Sequence, residues 1–285
     1  MKVKQLLKQS EEELALLGLD QNVPKVLFYH IANTEPHALY LMMEEEAKDD
    51  LVASFQVALD SYKAGKPVQY IKGVETFFGR DFIVNDAVLI PRYETEELVE
   101  QILYRIDDYF HEYNSVSLCD VGTGSGAIAI TLALEEPKLQ VLATDISPEA
   151  LLIANQNAKK LGADVTFTVG DMLAPIIESK QKIDVFVSNP PYIPQNQNIQ
   201  KVVKDNEPHV ALFGGDDGLY FYIQIFSTLP LILKDRAMAA FEIGFDQKEA
   251  IEQLVQQYFP TNSYEIKKDM SGKDRMLFIY INIGK

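Results

Sequence analysis

Cysteine is almost absent from this sequence, because Cys119 is the only one among 285 residues. An internal disulfide is therefore excluded, which fits a protein kept in a reducing cytoplasm. Long apolar runs are also missing, since no stretch approaches the roughly 20 uninterrupted apolar residues of a membrane-spanning helix. The lysines near the N-terminus are followed by Glu11, Glu12 and Glu13 and not by an apolar run. We therefore expect a cytoplasmic protein with no secretory signal and no membrane partner.

Basic residues are outnumbered. The 26 lysines and arginines stand against 42 aspartates and glutamates, which gives a formal net charge of −16. A protein that grips a nucleic-acid backbone usually presents a basic face, because neutralising phosphates supplies most of its affinity. The charge therefore argues against a direct nucleic-acid partner, although it leaves room for a local basic patch.

Metal-binding and common hydrolase or nucleotide-binding signatures are missing as well. The four histidines are scattered, at His30, His37, His111 and His209. They form neither an H-E-x-x-H motif nor a Cys/His cluster, so we expect no metal site. There is no G-x-x-x-x-G-K-[ST] loop and no G-x-S-x-G motif.

Residues 1–73 are predicted to form a helical domain. Apolar residues recur at three- and four-residue spacing over residues 3–17, 22–31 and 47–64. Pro24, Asn33 and Pro36 are assigned to the breaks between these segments. We therefore expect these residues to form a small bundle of helices, which either stabilises the rest of the chain or docks the substrate. We assign it to substrate docking.

Residues 74–88 are predicted to link this bundle to the rest of the chain. An apolar pair, Phe77-Phe78, is followed by a turn at residues 79–81 and a second β-prone run at residues 82–84. This pattern predicts a β-hairpin.

Residues 89–285 are predicted to form one α/β domain, in which strands and helices alternate. Strands are predicted at residues 116–121, 140–144, 165–169, 184–188 and 237–243, and helices at 127–134, 148–161 and 219–233. This βαβ rhythm indicates a doubly wound, mostly parallel sheet. Residues 264–268 and 276–281 predict a closing antiparallel hairpin, which brings the sheet to seven strands. The irregular stretch at 193–218 is long enough to be functional or disordered.

A glycine-rich segment lies where the first of these strands turns into a helix: Gly122, Thr123, Gly124, Ser125 and Gly126. Glycines there let the backbone approach a ligand and let the helix pack on its strand, although a purely structural turn would also use them. The dinucleotide fingerprint has two residues between its second and third glycines, whereas this segment has one. The G-x-G-x-G spacing resembles motif I of the methyltransferases that use S-adenosylmethionine (AdoMet), in which the loop faces the amino-acid end of the cofactor.

Acidic residues follow the next two strands. Asp145 ends the second strand, and an acid there can accept hydrogen bonds from both ribose hydroxyls, although it could instead cap the next helix. Asp171 follows the third strand and is placed to accept from the exocyclic amine of adenine. Met172 would be an apolar wall beside the base or a core residue. We assign all three to cofactor binding.

The segment Asn189-Pro190-Pro191-Tyr192 follows a strand directly. Two prolines cannot continue a helix and restrict the residue before them, so the chain leaves the sheet rigid and extended. That exit lies at the carboxyl ends of the strands, where ligands bind in open α/β sheets. A structural turn is the alternative interpretation.

A planar nitrogen nucleophile would need what this segment offers. An amide nitrogen reacts poorly because its lone pair is delocalised, so acceptors aimed at its N–H bonds would orient it and stabilise developing charge. The Asn189 side-chain oxygen and the Pro190 carbonyl can accept, and Tyr192 can pack on the flat group. We predict catalytic roles for Asn189, Pro190 and Tyr192, and substrate contacts for residues 189–192.

These motifs occur together in an order that resembles the HemK/PrmC family, the AdoMet-dependent protein-(glutamine) methyltransferases that modify class-1 peptide chain release factors. The resemblance extends over nearly the whole chain, including residues 65–73, 90–96, 120–127, 189–193 and 206–219. It implies that the glycine segment, Asp145 and Asn189 contact AdoMet. It also implies that the target is the glutamine of a Gly-Gly-Gln loop in a release factor. Arg92, in the segment 90–96, is expected either to bind an acidic group of the substrate or to pair with Glu96.

Two other functions share part of this pattern. An adenine-amino methyltransferase acting on DNA or RNA also uses an Asn-Pro-Pro-Tyr segment, but it would need a basic cleft and a target-recognition domain. A protein that binds AdoMet without catalysis would not need that segment. We therefore favour the protein-glutamine methyltransferase.

Overall fold

A computed structural model describes residues 1–283, so the last two residues of the predicted domain 89–285 lie outside the described part. The chain divides into two compact units. The first contains Met1–Val74 and the short segment Gln200–Asn206. The second contains Glu75–Ile199 together with the described chain from Glu207 onward. The three predicted domain ranges remain a prediction.

The first unit is built from helices packed around an apolar core. Its helices are α1 (Val3–Leu16), α2 (Val23–Ile31), α3 (Pro36–Met42), α4 (Asp49–Lys63) and α5 (Val68–Lys72). The rings of Phe28 and Phe55 meet edge to face at 6.1 Å in the centre of this core. The three predicted helices are confirmed as α1, α2 and α4, whereas α3 and α5 were not predicted.

Two prolines occupy helix starts and not the breaks to which the sequence assigned them. Pro24 lies in the first turn of α2, and Pro36 is the first residue of α3. The first N–H groups of a helix have no partner within the helix, so a proline costs little there.

The predicted hairpin is present as β1 (Val74–Phe77) and β2 (Arg80–Ile83). Its turn is Phe78-Gly79 and not residues 79–81 as predicted, and both residues have positive φ, at 50° and 72°. Positive φ at both positions is what the tight hairpin turn of type I′ needs. Glu96 stabilises this conformation, because its carboxylate accepts a hydrogen bond of 2.9 Å from the Phe78 N–H.

The second unit contains the predicted seven-stranded sheet, with strand order β5-β4-β3-β6-β7-β9-β8. The strands are β3 (Val116–Val121), β4 (Leu139–Asp145), β5 (Val165–Val169), β6 (Ile183–Ser188), β7 (Leu233–Glu242), β8 (Ser263–Lys268) and β9 (Asp274–Ile281). Strands β3 to β7 pair in parallel, and β9 is antiparallel to both of its neighbours. The doubly wound, mostly parallel sheet is therefore confirmed.

Helices cover both faces of this sheet. They are α6 (Tyr93–Phe110), α7 (Ala127–Glu135), α8 (Pro148–Leu161), α9 (Ala174–Ser179), α11 (Tyr220–Thr228) and α12 (Lys248–Tyr258). Side chains of α6, α7 and α8 pack in one apolar layer with alternate strand residues. Side chains of α9, α11 and α12 pack in the layer on the opposite face. Alternation along each strand thus supplies two cores.

Three predictions for residues 89–283 need correction. The helix predicted at 219–233 ends at Thr228, and β7 already begins at Leu233. Helices α9 and α12 were not predicted, although Ile251, Leu254 and Val255 of α12 follow helical spacing. The stretch 193–218 is not wholly irregular, because it contains α10 (Lys201–Asn206) and a 3-10 turn (His209–Ala211). Within residues 1–283, no helix is long and apolar enough to cross a membrane.

Candidate active site

A cavity opens at the carboxyl ends of the parallel strands in the second unit. Its lining includes eight of the predicted site residues: Gly122, Gly124, Asp145, Asp171, Met172, Asn189, Pro190 and Pro191. It is also lined by residues that the sequence did not assign to the site, among them Ala87, Leu89, Pro208 and Val210. Thr123, Ser125, Gly126 and Tyr192 lie outside this lining. Parallel strands that end at one edge explain why residues far apart in sequence meet here.

The glycine segment forms an open cradle beneath this cavity. Gly122, Gly124 and Gly126 all have positive φ, at 74°, 57° and 81°. A Cβ added to Gly122 or Gly124 would meet nothing within 4 Å, so the backbone borders free space. A Cβ on Gly126 would lie 2.7 Å from the Ile130 side chain, so that glycine lets α7 pack closely. The first two glycines leave room for a ligand, and the third serves packing.

Thr123 and Ser125 hold the shape of the cradle. The Thr123 hydroxyl donates a hydrogen bond of 2.6 Å to the carboxyl of Asp120. The Ser125 carbonyl accepts one of 2.9 Å from the side chain of Asn157. Asp120 is fully buried, and burial raises the pKa of its carboxyl to about 7. The sequence analysis did not assign a role to Asp120, although this acid is visible two residues before the glycine segment.

Asp145 closes one side of the cradle. One carboxylate oxygen accepts from the Gly124 N–H at 2.8 Å, and the other accepts from the Ser147 N–H at 2.9 Å. Burial raises the pKa of this carboxyl, and the backbone donors act in the opposite direction. The helix cap that was the alternative role for Asp145 is Ser147, whose hydroxyl accepts from the Ala150 N–H at 3.1 Å. Ribose binding by Asp145 remains a prediction.

Asp171 and Met172 lie on the loop after β5 and line the cavity together. Met172 has a positive φ of 45°, and its side chain also packs against the apolar layer formed by α9, α11 and α12. Its two predicted positions, beside a ligand and in the core, are therefore compatible. Asp171 is exposed, which leaves its carboxylate accessible.

The Asn-Pro-Pro-Tyr segment makes a corner that is held from behind. The Asn189 side-chain nitrogen donates to the Thr95 hydroxyl at 3.2 Å. The Gln247 side-chain nitrogen donates to the carbonyls of Tyr192 and Gly218, at 3.1 and 3.2 Å. The Tyr192 hydroxyl points into the protein and donates to Glu242 at 3.2 Å. Asn189 and the two prolines thus face the cavity from a fixed backbone.

Glu242, at the end of β7, is a buried carboxylate that the sequence analysis missed. Besides Tyr192, its carboxylate accepts from the Thr95 hydroxyl at 2.6 Å, and its backbone carbonyl accepts from the Tyr222 hydroxyl at 2.7 Å. Burial raises its pKa, while the Thr95 hydroxyl and the charge of Arg275 act to lower it. The only local signal is an acid that ends a strand of buried apolar residues.

Arg92 pairs with a residue other than Glu96, whereas its other expected role, binding an acidic group of the substrate, remains a prediction. Its guanidinium pairs with Glu207 at 2.5 Å, whereas Glu96 accepts from the Phe78 N–H. Glu207 is buried and also accepts from the Ile90 N–H at 3.4 Å. The alternative in which Arg92 pairs with Glu96 is therefore wrong. The ion pair instead joins two segments whose neighbours line the cavity.

The sheet order, the open glycine cradle and the adjoining polar corner together define an AdoMet-dependent methyltransferase. The backbone at Gly122 and Gly124 borders free space in which a cofactor fits, and the Asp145 carboxylate lies beside that space. The residues present therefore fit AdoMet.

The chain is similar to known methyltransferases over nearly its whole length. Residues 104–207 match the family model described as "Methyltransferase small domain", and residues 5–73 match "PrmC N-terminal domain". The release factor glutamine methyltransferase of Bacillus anthracis is 45% identical over 99% of this chain and 100% of its own length. That of Bacillus subtilis (strain 168) is 42% identical over 98% of each chain. The chain therefore belongs to the release factor glutamine methyltransferase family, which confirms the expected resemblance.

The fold is also similar to solved structures. A crystal structure of a methyltransferase from Pyrococcus furiosus superposes with a TM-score of 0.51 at 17% identity, and it covers 79% of this chain and 96% of that one. At that identity the likeness supports the fold and nothing beyond it.

Proposed function

We propose that this protein transfers the methyl group of AdoMet to the side-chain amide nitrogen of the glutamine in the Gly-Gly-Gln loop of class-1 release factors, in the cytoplasm. The observation that carries the proposal is the position of Asn189 and Pro190 in the same cavity as the glycine cradle. AdoMet and a planar amide can then bind next to each other in the same cavity.

The residues of the Asn-Pro-Pro-Tyr corner can orient an amide nucleophile and stabilise it as it reacts. The Asn189 side-chain oxygen and the Pro190 carbonyl accept from the two N–H bonds of the glutamine amide, which fixes its plane and stabilises the charge that develops on nitrogen. A bound AdoMet supplies an electrophilic methyl group. Holding the nitrogen in line with that group provides much of the rate enhancement. The methylated nitrogen is acidic enough to release its proton to water, so a general base is not required.

The cofactor roles are assigned to residues that border the cavity or shape it. We propose that the segment Gly122, Thr123, Gly124, Ser125 and Gly126 holds the amino-acid end, that Asp145 binds the ribose, and that Asp171 and Met172 contact the adenine. Tyr192 is proposed to support the substrate plane, with Pro191 beside it. The hydrogen bond from Tyr192 to Glu242 supports a fixed position for this ring.

The helical domain of residues 1–73 is proposed to dock the release factor, with the hairpin of residues 74–88 as the link to the methyltransferase domain from residue 89 onward. A compact first unit with its own apolar core supports a separate docking role for the helical domain.

Transfer of labelled methyl groups tests the function. The protein is incubated with labelled AdoMet and either a release factor or duplex DNA. We expect label on the release factor, and none when the glutamine of its Gly-Gly-Gln loop is replaced by alanine. Label on DNA, or label that survives this replacement, would contradict the proposal.

Asn189→Ala tests the chemistry of the corner. We expect the AdoMet dissociation constant to stay within about tenfold and the turnover to fall at least about 100-fold, because an oriented acceptor is lost. Isothermal titration and initial rates measure the two quantities. Asn155→Ala, the same change on the exposed side of α8, is the matched control. Equal losses of binding and turnover would make Asn189 a cofactor residue first.

A further inference from the structure

Two polar side chains that the proposed chemistry does not use lie behind Asn189. Thr95 is in the first turn of α6, and Glu242 ends β7. Both are buried, at 5% and 2% exposure. They form a chain of hydrogen bonds from the Asn189 side-chain nitrogen to the Thr95 hydroxyl (3.2 Å), and from that hydroxyl to Glu242 (2.6 Å).

The direction of this chain is fixed by the number of protons available. A carboxylate only accepts, and a threonine hydroxyl has one proton to donate. Glu242 faces two hydroxyls, those of Thr95 and Tyr192, with its two carboxylate oxygens. The Thr95 proton therefore goes to Glu242. Thr95 can then only accept from Asn189, which requires the amide nitrogen of Asn189 to face it.

The orientation of the Asn189 amide decides whether it can bind a glutamine amide. With its nitrogen held by Thr95, Asn189 has its oxygen left for the cavity that it lines. Were the amide reversed, its N–H₂ group would meet the N–H₂ group of the substrate, donor against donor. Asparagine oxygen and nitrogen have nearly the same shape, so packing alone does not choose between these states.

We propose that Thr95 and Glu242 are positioning residues, which orient the Asn189 amide so that its oxygen faces the substrate nitrogen. This inference rests on the proposed function and identifies what keeps its acceptor in place.

The surroundings of Glu242 favour its role as an acceptor. The Arg275 guanidinium lies on the adjacent strand β9 and is bonded at 3.3 Å to Asp269 and to the Ile243 carbonyl. Burial is the largest influence on the pKa of Glu242 and raises it, and the charge of Glu94 acts in the same direction. The Thr95 hydroxyl, the charge of Arg275 and the Tyr192 hydroxyl act to lower this pKa and so favour the ionised carboxylate. A buried charge with three favourable partners is compatible with the ionised form.

Thr95→Val is the first test, because valine keeps the shape of threonine and removes its hydroxyl. We expect kcat on the release factor to fall about 30-fold and the AdoMet dissociation constant to stay within about threefold, since only the substrate acceptor is misoriented. Thr95→Ser retains the hydroxyl and should recover most of the lost turnover. Thr131→Val is the matched control, since Thr131 is buried on α7 and its hydroxyl has no hydrogen-bond partner within residues 1–283.

Glu242→Gln provides the second test. A glutamine can either accept from Thr95 or donate to it, so the direction is no longer imposed and kcat should fall about tenfold. The double variant with Thr95→Val should be no slower than Thr95→Val alone, because both changes act on one chain of hydrogen bonds. Thermal unfolding and AdoMet titration establish that each variant is folded.

The outcomes separate this inference from the proposed function. A wild-type protein that does not label the release factor refutes the function. If the wild type does label it, then full turnover by Thr95→Val and Glu242→Gln overturns the inference alone. Equal losses in Thr95→Ser and Thr95→Val, or losses that multiply in the double variant, would also overturn it.

Discussion

Gly218 supports the Asn-Pro-Pro-Tyr corner from below, and Gly218→Ala should disturb both stability and turnover. Gly218 has a φ of +78°, which a residue with a side chain rarely adopts. An added Cβ would lie 2.2 Å from the Tyr192 carbonyl oxygen and 2.7 Å from the Gln247 side-chain nitrogen. The first of these contacts is with backbone, so it is relieved only if the corner moves.

The expected loss of stability in Gly218→Ala has two contributions. A left-handed conformation for alanine costs about 1–2 kcal/mol, and forcing an extra methyl into a packed site costs about 1–3 kcal/mol. The sum of about 2–5 kcal/mol lowers the melting temperature by on the order of 10 °C in a domain of this size. Movement of the corner by about 1 Å would reduce turnover about 100-fold, because Asn189 and Pro190 are carried on it.

Gly162→Ala is the control that separates the steric clash of the added methyl group from the cost of the left-handed backbone conformation. Gly162 has a nearly identical φ of +75°, but a Cβ there meets nothing within 4 Å. It should show the conformational cost alone, with unchanged turnover. Melting temperatures come from circular dichroism, and initial rates are measured at a temperature where all proteins are folded. Equal destabilisation by the two substitutions, or normal turnover in Gly218→Ala, would refute the reasoning.

Two further predictions concern buried carboxylates. Burial raises the pKa of Asp120 to about 7, so the folded state holds a proton that the unfolded state has released, and the free energy of unfolding should fall as pH rises from about 4 to 7. Asp120→Asn should remove this dependence, which amounts to about 3 kcal/mol between pH 5 and pH 8, where the urea midpoints are measured. Identical profiles for the variant and the wild type would contradict a raised pKa of Asp120. Arg92→Ala should destabilise the protein by about 1–3 kcal/mol, because it leaves the buried Glu207 unpaired. Glu207→Gln should cost less in the same urea experiment, and the reverse ranking would exclude this explanation.

Local sequence patterns predicted the sheet and the location of the site. The strand at 116–121 was predicted with its observed bounds, because a buried parallel strand is a short apolar run with a sharp end. Once parallel strands are recognised, Gly122, Asp145 and Asn189 must lie at one edge of the sheet, since Asp145 ends its strand and the other two directly follow theirs. The cavity that contains all three confirms that part of the expectation.

The supporting contacts could not be predicted in this way. Thr95 and Glu242 are 147 residues apart, and Arg92 and Glu207 are 115 apart. A single sequence carries no record of such pairs, because each partner is an ordinary polar residue within its own segment. The pairing of Arg92 with Glu96 was wrong for this reason: nearness in sequence was the only guide, and the tertiary fold supplied a stronger partner.

The position of β9 between β7 and β8 has a consequence for how the active site is assembled. Synthesis makes β9 after both of its neighbours, so β7 has an unsatisfied edge until residues 274–281 leave the ribosome. Strands β3 to β6, with the glycine cradle and Asp145, can pair before that point. Glu242 gains the neighbouring Arg275 only when β9 inserts. The half of the site assigned to the methyl donor can thus form early, whereas the half that orients the acceptor is completed only when β9 emerges, after β3 to β8.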